Sequence, residues 1–440
     1  MDFIARDLAS VIHPLHDVAI QRSARVWVRG RGAMLIDADG KEYIDGLAGL
    51  WNVVLGHGRR ELADAAREQM ETLAYASGYT GSTNPRAIEL GERLAQLTYP
   101  NINRFFFTSG GAEANESAIK VARSYWKLRG RPTKTTIISR ELGYHGTTLA
   151  AMSATGIAGY WAQFEPRVPG FLHVPTLNAD ALEDTIMREG ADTIAMFLAE
   201  PVIGVGGVIP PPDDYFRRVR EICDTHDVLF AADEVITGFG RTGKWFALEH
   251  WGVAPDLVQF AKAITSGYVP FGGVGVSDAI AHTIDASPTP WMHAFTYTAH
   301  PVGCAVALRT LQIIEDENLV DEAARKGAYL LDVLRARLAD HPHVGDIRGR
   351  GLLCGIELVA DRASKAPFDP ASRLHSRIKS EAMQRGLLVY PMGGTVDGRS
   401  GDHVLVAPPF IIEERHIDEI VDKLGAAIDA ALSAATQTSA

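Results

Sequence analysis

The sequence predicts an α/β fold, in which a parallel sheet is covered by helices on both faces, together with a second, smaller α+β domain. Two observations lead to this prediction. From about residue 60, short and continuously apolar segments alternate with helical patterns, which is typical of strands buried on both faces. After about residue 325 the pattern becomes less regular. At 440 residues, the chain is long enough for two or three domains of ordinary size.

The first 55 residues indicate an arm followed by a meander of short strands. Apolar segments over 26–28 and 34–36 flank Gly30-Arg31-Gly32, and Asp37-Ala38-Asp39-Gly40 is a turn signal. A segment of this length makes a weak core alone. We therefore expect residues 1–55 to join residues 326–440 in one small domain, beside a large domain of residues 56–325.

The large domain is predicted from helices and strands that alternate along the chain. Apolar residues have helical spacing over 59–73, 85–97, 112–128 and 214–226, and a further helix begins at Pro301. Strands are predicted over 104–107, 135–139, 193–199, 228–232 and 257–261. In the small domain we expect strands within 345–358 and over 387–390, covered by helices over 373–385 and 414–432.

Composition excludes several classes of protein. With 46% hydrophobic residues the chain is too apolar to be disordered. A net charge of −11 argues against binding to nucleic acid or to an anionic membrane. No segment approaches the ~20 uncharged apolar residues of a membrane span, and no signal peptide is recognisable. The three cysteines are far apart and the histidines never gather, so no disulfide or metal site is indicated. We expect a cytoplasmic protein.

Three ionisable residues each follow a short apolar strand: Glu200, Asp233 and Lys262. Ligands of open α/β sheets bind beyond the carboxyl ends of the strands, so one crevice could hold all three. A desolvated lysine is costly to keep charged, and lysine forms a Schiff base with the carbonyl of pyridoxal phosphate. A carboxylate would then keep the pyridine nitrogen protonated, and Asp233 is available. A structural ion pair between Lys262 and Asp233 is the alternative.

A second feature is a glycine-rich turn between a strand and a helix, Thr108-Ser109-Gly110-Gly111-Ala112-Glu113. Glycines let the backbone approach an anion, and a helix N-terminus offers free N–H groups. The turn is neither a nucleotide P-loop nor a dinucleotide G-x-G-x-x-G motif. A plain helix cap by Thr108 or Ser109 explains the same residues.

Aromatic residues lie in two further turns. Tyr144, within Gly143-Tyr144-His145-Gly146, follows a predicted strand and could stack on a flat heterocycle, although an ordinary loop tyrosine is the alternative. Residues 293–301 combine aromatic and hydroxyl side chains before the helix that begins at Pro301. A threonine there could donate to a phosphate or cap the helix.

Together these residues resemble the class III pyridoxal-phosphate-dependent aminotransferases, of the ω-aminotransferase type. The resemblance runs from Leu47-Ala48-Gly49-Leu50-Trp51 to Ala407-Pro408-Pro409. The matching motifs between these limits are 108–116, 143–146, 232–243, Ala261-Lys262 and Ser266-Gly267-Tyr268. The resemblance implies fold type I with a mostly parallel seven-stranded sheet. It also implies a homodimer whose active sites lie at the subunit interface.

By resemblance, the cofactor is pyridoxal 5′-phosphate and the catalytic residues are Lys262 and Asp233. Lys262 would hold the cofactor covalently, and Asp233 would pair with its pyridine nitrogen. Val235 would pack behind the ring and Tyr144 in front of it. Glu200 would lie near the ring hydroxyl.

The phosphate would bind the backbone N–H groups of Gly111 and Ala112. Thr296, with Phe295, would reach the phosphate of the neighbouring subunit. Relatives often have serine at the position of Ala112, so this chain lacks one hydroxyl donor. We expect weaker retention of the cofactor as a result.

The resemblance implies transfer of an amino group from a primary amine or ω-amino acid to a keto acid, with pyruvate as the expected acceptor and ping-pong kinetics. Trp51, Tyr144 and Val205 would line the substrate pocket. A guanidinium is the natural partner of the acceptor's carboxylate, and Arg399 is the candidate, against the alternative of a solvated loop arginine. An aminomutase or a decarboxylating aminotransferase shares the fold and is the alternative function. A cofactor-binding protein without catalysis would have to lack Lys262 or Asp233.

Overall fold

The computed structural model describes residues 3–79 and 81–438, without the side chains of residues 434–438. The N-terminal segment contains α1 (Phe3–Ser10), α2 (Val18–Gln21), β1 (Trp27–Arg31), β2 (Met34–Asp37), β3 (Glu42–Asp45) and α3 (Ala48–Trp51). The central region contains α4 (Arg60–Leu73), α5 (Pro85–Leu97), β4 (Ile102–Thr108), α6 (Gly111–Leu128), β5 (Thr136–Arg140), α7 (Leu149–Ala154), β6 (Phe171–Val174), α8 (Ala179–Glu189), β7 (Ile194–Ala199), α9 (Tyr215–Thr225), β8 (Leu229–Asp233), β9 (Leu257–Phe260), β10 (Gly272–Ser277), α10 (Asp278–Asp285) and α11 (Pro301–Asp316). The C-terminal region contains α12 (Leu319–Leu338), β11 (Val344–Gly349), β12 (Cys354–Leu358), α13 (Leu374–Gln384), β13 (Leu387–Leu388), β14 (Tyr390–Gly393), β15 (Asp402–Val406) and α14 (Glu414–Thr438). Short 3₁₀ turns lie at Ala158–Tyr160, Ala247–Trp251, Lys262–Thr265 and Pro370–Ser372.

A seven-stranded sheet forms the centre of the molecule, with the strand order β4-β10-β9-β8-β7-β5-β6. β10 runs antiparallel to both β4 and β9, whereas the other neighbours are parallel. Every residue of β7 and β8 is buried, as expected for central strands covered on both faces. The predicted fold class is therefore confirmed, and β6 and β10 are two strands that the sequence pattern did not reveal.

Helices cover both faces of this sheet. On one face, Trp126 of α6 is buried in the same cluster as Leu198 of β7. On the other face, Phe216 of α9 stacks on Phe230, with ring centroids 5.8 Å apart, and Phe197 lies against Phe230 at 6.1 Å. Burial of apolar and aromatic side chains on both sides fixes the positions of the strand ends.

The two ends of the chain meet in a second, four-stranded sheet of order β1-β2-β3-β13. β13 pairs in parallel with β3, where Leu387 is the partner of Ile44. An antiparallel sheet of order β11-β12-β15-β14 completes this region. The expected association of the N-terminal meander with the C-terminal region is thus observed, while the boundaries at residues 55 and 326 stay a prediction. Within the described ranges, no helix combines the length and apolar character needed to cross a bilayer.

Candidate active site

A cavity of about 350 Å³ opens beyond the carboxyl ends of β7, β8 and β9. Glu200 directly follows β7, Asp233 is the last residue of β8, and Lys262 follows β9 after one residue. All three line the cavity. The parallel order of these strands brings residues that are distant in sequence to one edge, as the sequence predicts.

Lys262 carries the amine of the site. The residue is half-buried and has a φ of 50°, in the left-handed region, at the start of a 3₁₀ turn. Removal of water around the amine lowers the pKa of Lys262, and the charges of Asp233 and Glu200 act in the opposite direction. A lysine with a lowered pKa is more readily neutral, and a neutral amine is a nucleophile.

Asp233 is held by three N–H donors. Its Oδ2 accepts from Asn115 Nδ2 and lies 2.8 Å from His145 Nδ1, and its Oδ1 accepts from the N–H of Val235 at 3.1 Å. Because a carboxylate only accepts, the proton of the imidazole lies on Nδ1. Sequence analysis assigned no function to Asn115 or His145 and placed them only inside the motifs 108–116 and 143–146. Asn115 Oδ1 and His145 Nε2 are buried and have no protein partner among the described residues.

Glu200 is buried and binds the backbone of two loops. Its Oε1 accepts from the N–H of Tyr144, and its Oε2 from the N–H of Gly204, both at 2.9 Å. Burial raises the pKa of Glu200; His145 acts against this shift and Asp233 adds to it. Glu200 therefore fixes the position of the turn that carries Tyr144.

The N-terminus of α6 forms a cradle in the same cavity. The N–H groups of Gly111 and Ala112 lie in the first helical turn and have no acceptor within the helix, so they can bind an anion. The hydroxyl of Thr108 donates to the carbonyl of Gly110 rather than accepting from a helix N–H, so the predicted alternative of a side-chain cap is not observed. A Cβ on Gly111 would lie 2.8 Å from Val235 Cγ1, which shows how closely the helix start approaches Val235.

Aromatic side chains lie at the cavity and near it. Tyr144 lines the cavity and lies 5.3 Å from Tyr160, measured between ring centroids. The buried ring of Trp51 packs at 5.1 Å from Tyr390 and lies 5.6 Å from Lys262 Nζ. Burial raises the pKa of Tyr144 to about 12. Tyr160 and Tyr390 were not predicted, because nothing in their local sequence distinguishes them from core residues.

Four predicted site residues are not among the described residues that line the cavity: Trp51, whose contacts are given above, and Val205, Arg399 and Thr296. Val205 is buried but is not among the described residues that line it. Arg399 is exposed in a turn, where its N–H donates to Asp397 Oδ1 at 2.8 Å. Thr296 is exposed, and its carbonyl accepts from the hydroxyl of Tyr75 at 2.8 Å. The functions assigned to these four residues, like those assigned to the lining residues, stay predictions.

Comparison with known proteins shows the family to which the chain belongs. The sequence model of the class III aminotransferases matches residues 17–428. A thermostable (S)-enantioselective omega-transaminase from Thermomicrobium roseum has a crystal structure with a TM-score of 0.94, 46% identity and 98% coverage of both chains. An amine transaminase from an uncultivated Pseudomonas species, solved in its PLP-bound form, has a TM-score of 0.90 and 36% identity, covering 96% of this chain and 99% of the other. The putrescine–pyruvate aminotransferase of Pseudomonas aeruginosa is 35% identical over 91% of this chain and 90% of its own.

The residues of the cavity fit a phosphorylated pyridine aldehyde. Lys262 supplies an amine, Asp233 a carboxylate, and the N-terminus of α6 an anion site. The space beside this anion site is open, since a Cβ on Gly110 would meet no atom within 4 Å. The chain therefore belongs to the class III aminotransferases, enzymes of fold type I whose cofactor is pyridoxal 5′-phosphate.

Proposed function

We propose that the protein transfers the amino group of a primary amine or ω-amino acid to pyruvate by a ping-pong mechanism. The observation that carries the proposal is the desolvated Lys262 amine, which shares one cavity with Asp233, Glu200 and the N-terminus of α6. No arginine is among the described residues that line this cavity, so it offers no fixed partner for a carboxylate on the donor's α-carbon. Donors without that carboxylate are therefore favoured.

Lys262 and Asp233 would carry the chemistry. The cofactor supplies, when bound, an electron sink that stabilises negative charge on the donor carbon. Lys262 would hold the cofactor through Nζ; when the donor frees that amine, Nζ would take the proton from the donor carbon and deliver it to the cofactor. Asp233 would keep the ring nitrogen protonated. Asn115 and His145 would orient the Asp233 carboxylate, because both contact its Oδ2 at 2.8 Å.

The other residues would bind and orient the cofactor. The N–H groups of Gly111 and Ala112 would bind the phosphate, where the helix dipole favours negative charge. Val235, which lies against the start of α6, would pack on one face of the ring and Tyr144 on the other. Glu200 accepts a hydrogen bond from the backbone N–H of Tyr144, so its carboxylate would lie beside the ring that Tyr144 covers, near the ring hydroxyl.

The substrate pocket would be formed by Trp51, Tyr144 and Val205. Its aromatic walls, extended by Tyr390 against Trp51, suit unbranched or aromatic amines. Arg399 would bind the carboxylate of pyruvate by a movement of its exposed turn. The omega-transaminase and putrescine–pyruvate aminotransferase activities of the relatives support this choice of donor and acceptor.

We further propose a homodimer in which Phe295 and Thr296 reach the cofactor phosphate of the neighbouring subunit. Phe295 is half-buried, with its ring centroid 6.2 Å from that of Phe106 and 4.9 Å from that of His293. Thr296 is exposed, so it is accessible to a second copy. A cytoplasmic location is supported by the cysteines, which are buried and unpaired: Cys223, Cys304 and Cys354.

The test is the absorption spectrum of the purified holoenzyme with a primary amine and then with pyruvate. We expect a yellow band that disappears with the amine and returns with pyruvate. Lys262→Ala should abolish this cycle and all turnover, while circular dichroism shows an intact fold. A band that persists with every amine would support the aminomutase or decarboxylating alternative, and no band after addition of pyridoxal phosphate would refute the assignment of Lys262.

A further inference from the structure

The turn that carries Lys262 is fastened to the loop that carries Trp51. We call residues 262–268 the lysine turn and residues 47–59 the tryptophan loop. In the lysine turn, Ser266 Oγ accepts from the N–H of Leu55 at 2.9 Å. Gly267 lies against the same loop, since a Cβ there would be 2.8 Å from the side-chain nitrogen of Asn52. A larger residue would be strained there, because Gly267 also has a φ of 72°.

Tyr268 makes the second connection. Its hydroxyl donates to the carbonyl of Gly56 at 3.0 Å and accepts from the N–H of Arg59 at 2.6 Å. The hydroxyl thus fills its donor and one acceptor position with backbone groups of the tryptophan loop. Neither Ser266 nor Tyr268 is among the described residues that line the cavity. Their contacts therefore act on the loop and not on a bound molecule.

Both segments contain backbone that needs support. Lys262 and Ser266 have φ values of 50° and 49°, and Ala48 and Trp51 have values of 50° and 62°. Side chains other than glycine rarely adopt this left-handed region, and they persist there only where surrounding contacts hold them. The contacts of Ser266, Gly267 and Tyr268 join the two segments, so each segment supports the other.

We propose that Tyr268 and Ser266 are positioning residues that set the Trp51 indole against the Lys262 amine and thereby determine the affinity for the amine donor. Trp51 Nε1 is buried without a partner among the described residues, so no hydrogen bond fixes the indole, and its position depends on the loop and on packing against Tyr390. The 5.6 Å from Lys262 Nζ to the indole centroid is the gap that the two residues maintain. The inference rests on the proposed function of Trp51 as a pocket wall.

The first test needs neither cofactor nor substrate. In the cofactor-free protein, Tyr268→Phe removes the acceptor of the Arg59 amide and keeps the ring. Hydrogen exchange in peptides that cover residues 53–60 should become about tenfold faster, the effect of one lost hydrogen bond. Ser266→Ala should do the same for Leu55. The matched control is Tyr329→Phe, which removes a hydroxyl that contacts Asp418 at 3.2 Å in a distant helix pair. Unchanged exchange in the first two variants would overturn the proposal.

The second test separates positioning from general stability. Tyr268→Phe should raise the KM for the amine about tenfold and leave kcat within about threefold, since the hydroxyl contacts only the loop. In a Trp51→Ala background the same substitution should leave KM unchanged, because the wall it positions is gone. Additive effects in the double variant would overturn the inference alone. A normal KM in Trp51→Ala would instead refute the pocket wall of the proposed function.

Discussion

Asp233→Asn is the most informative substitution in the proposed site, because it changes charge without changing shape. The carboxylate accepts at Oδ2 from Asn115 and His145 and at Oδ1 from the N–H of Val235. An amide has a single acceptor oxygen. If that oxygen takes the place of Oδ2, the NH₂ group faces the N–H of Val235. The opposite orientation is worse, because the NH₂ group then faces two donors, Asn115 and His145.

The magnitude follows from these contacts. One hydrogen bond to a charged acceptor contributes about 1.5–3 kcal/mol, and a buried donor left without a partner costs about 1–3 kcal/mol more. The total of roughly 3–6 kcal/mol corresponds to about 10²–10⁴ in rate if it is lost in the transition state. Since a neutral amide also cannot keep a pyridine nitrogen protonated, we expect a loss of about 10³ in the amine half-reaction. Lys262 is unchanged, so the cofactor should still bind.

The assay is a single-turnover reaction in which the loaded enzyme is mixed with amine and the loss of the yellow absorbance is followed. Asn115→Ala is the graded control: it keeps the carboxylate, removes one donor, and should slow the reaction only about tenfold. A rate in Asp233→Asn within tenfold of the parent would refute the function assigned to this carboxylate. A variant that no longer binds the cofactor would show that the carboxylate serves retention rather than rate.

Three further predictions concern single residues. Ala112→Ser should add a hydroxyl donor at the phosphate cradle and slow cofactor dissociation several-fold in a dialysis assay; unchanged dissociation would contradict the weaker retention expected here. Arg399→Ala should raise the KM for pyruvate about tenfold or more and leave the KM for the amine unchanged. A KM for pyruvate equal to that of the parent enzyme would identify Arg399 as a solvated loop residue. His403 is buried, and burial lowers its pKa to about 3, below the unfolded value near 6.5, so stability is lost as the pH falls below 6.5. At pH 5 this histidine should account for roughly 2 kcal/mol of the lost unfolding free energy, and His403→Gln should reduce the difference between urea unfolding at pH 7.5 and pH 5 by that amount.

The strand-end residues could be predicted because their signals are local. Glu200, Asp233 and Lys262 each come at the end of an apolar strand, and the parallel order of those strands places them on one edge. β10 escaped prediction because its glycines break the apolar pattern. They are required by packing, since a Cβ on Gly273 would lie 2.6 Å from the ring of Phe260, and one on Gly275 would lie 2.6 Å from Ile102.

The partners of Asp233 could not be predicted, for a different reason. Asn115 is 118 positions away in sequence and sits inside an ordinary helical pattern. Only the packing of α6 across the sheet brings its amide to the carboxylate. The same holds for Tyr390, which reaches Trp51 from the opposite end of the chain. Contacts of this kind depend on the register between elements, which apolar periodicity does not encode.

The distribution of charge in the cavity explains how a cofactor would be oriented in it. Two carboxylates, Glu200 and Asp233, share the strand-end side with a single lysine whose pKa is lowered by burial. The start of α6 presents the positive end of the helix dipole to the same cavity at Gly111 and Ala112. A phosphate placed beside Asp233 would meet like charge in a desolvated site, whereas a protonated ring nitrogen there meets its counter-charge. The proposed arrangement, with phosphate at α6 and ring nitrogen at Asp233, is therefore the one orientation in which both ends of the cofactor are stabilised.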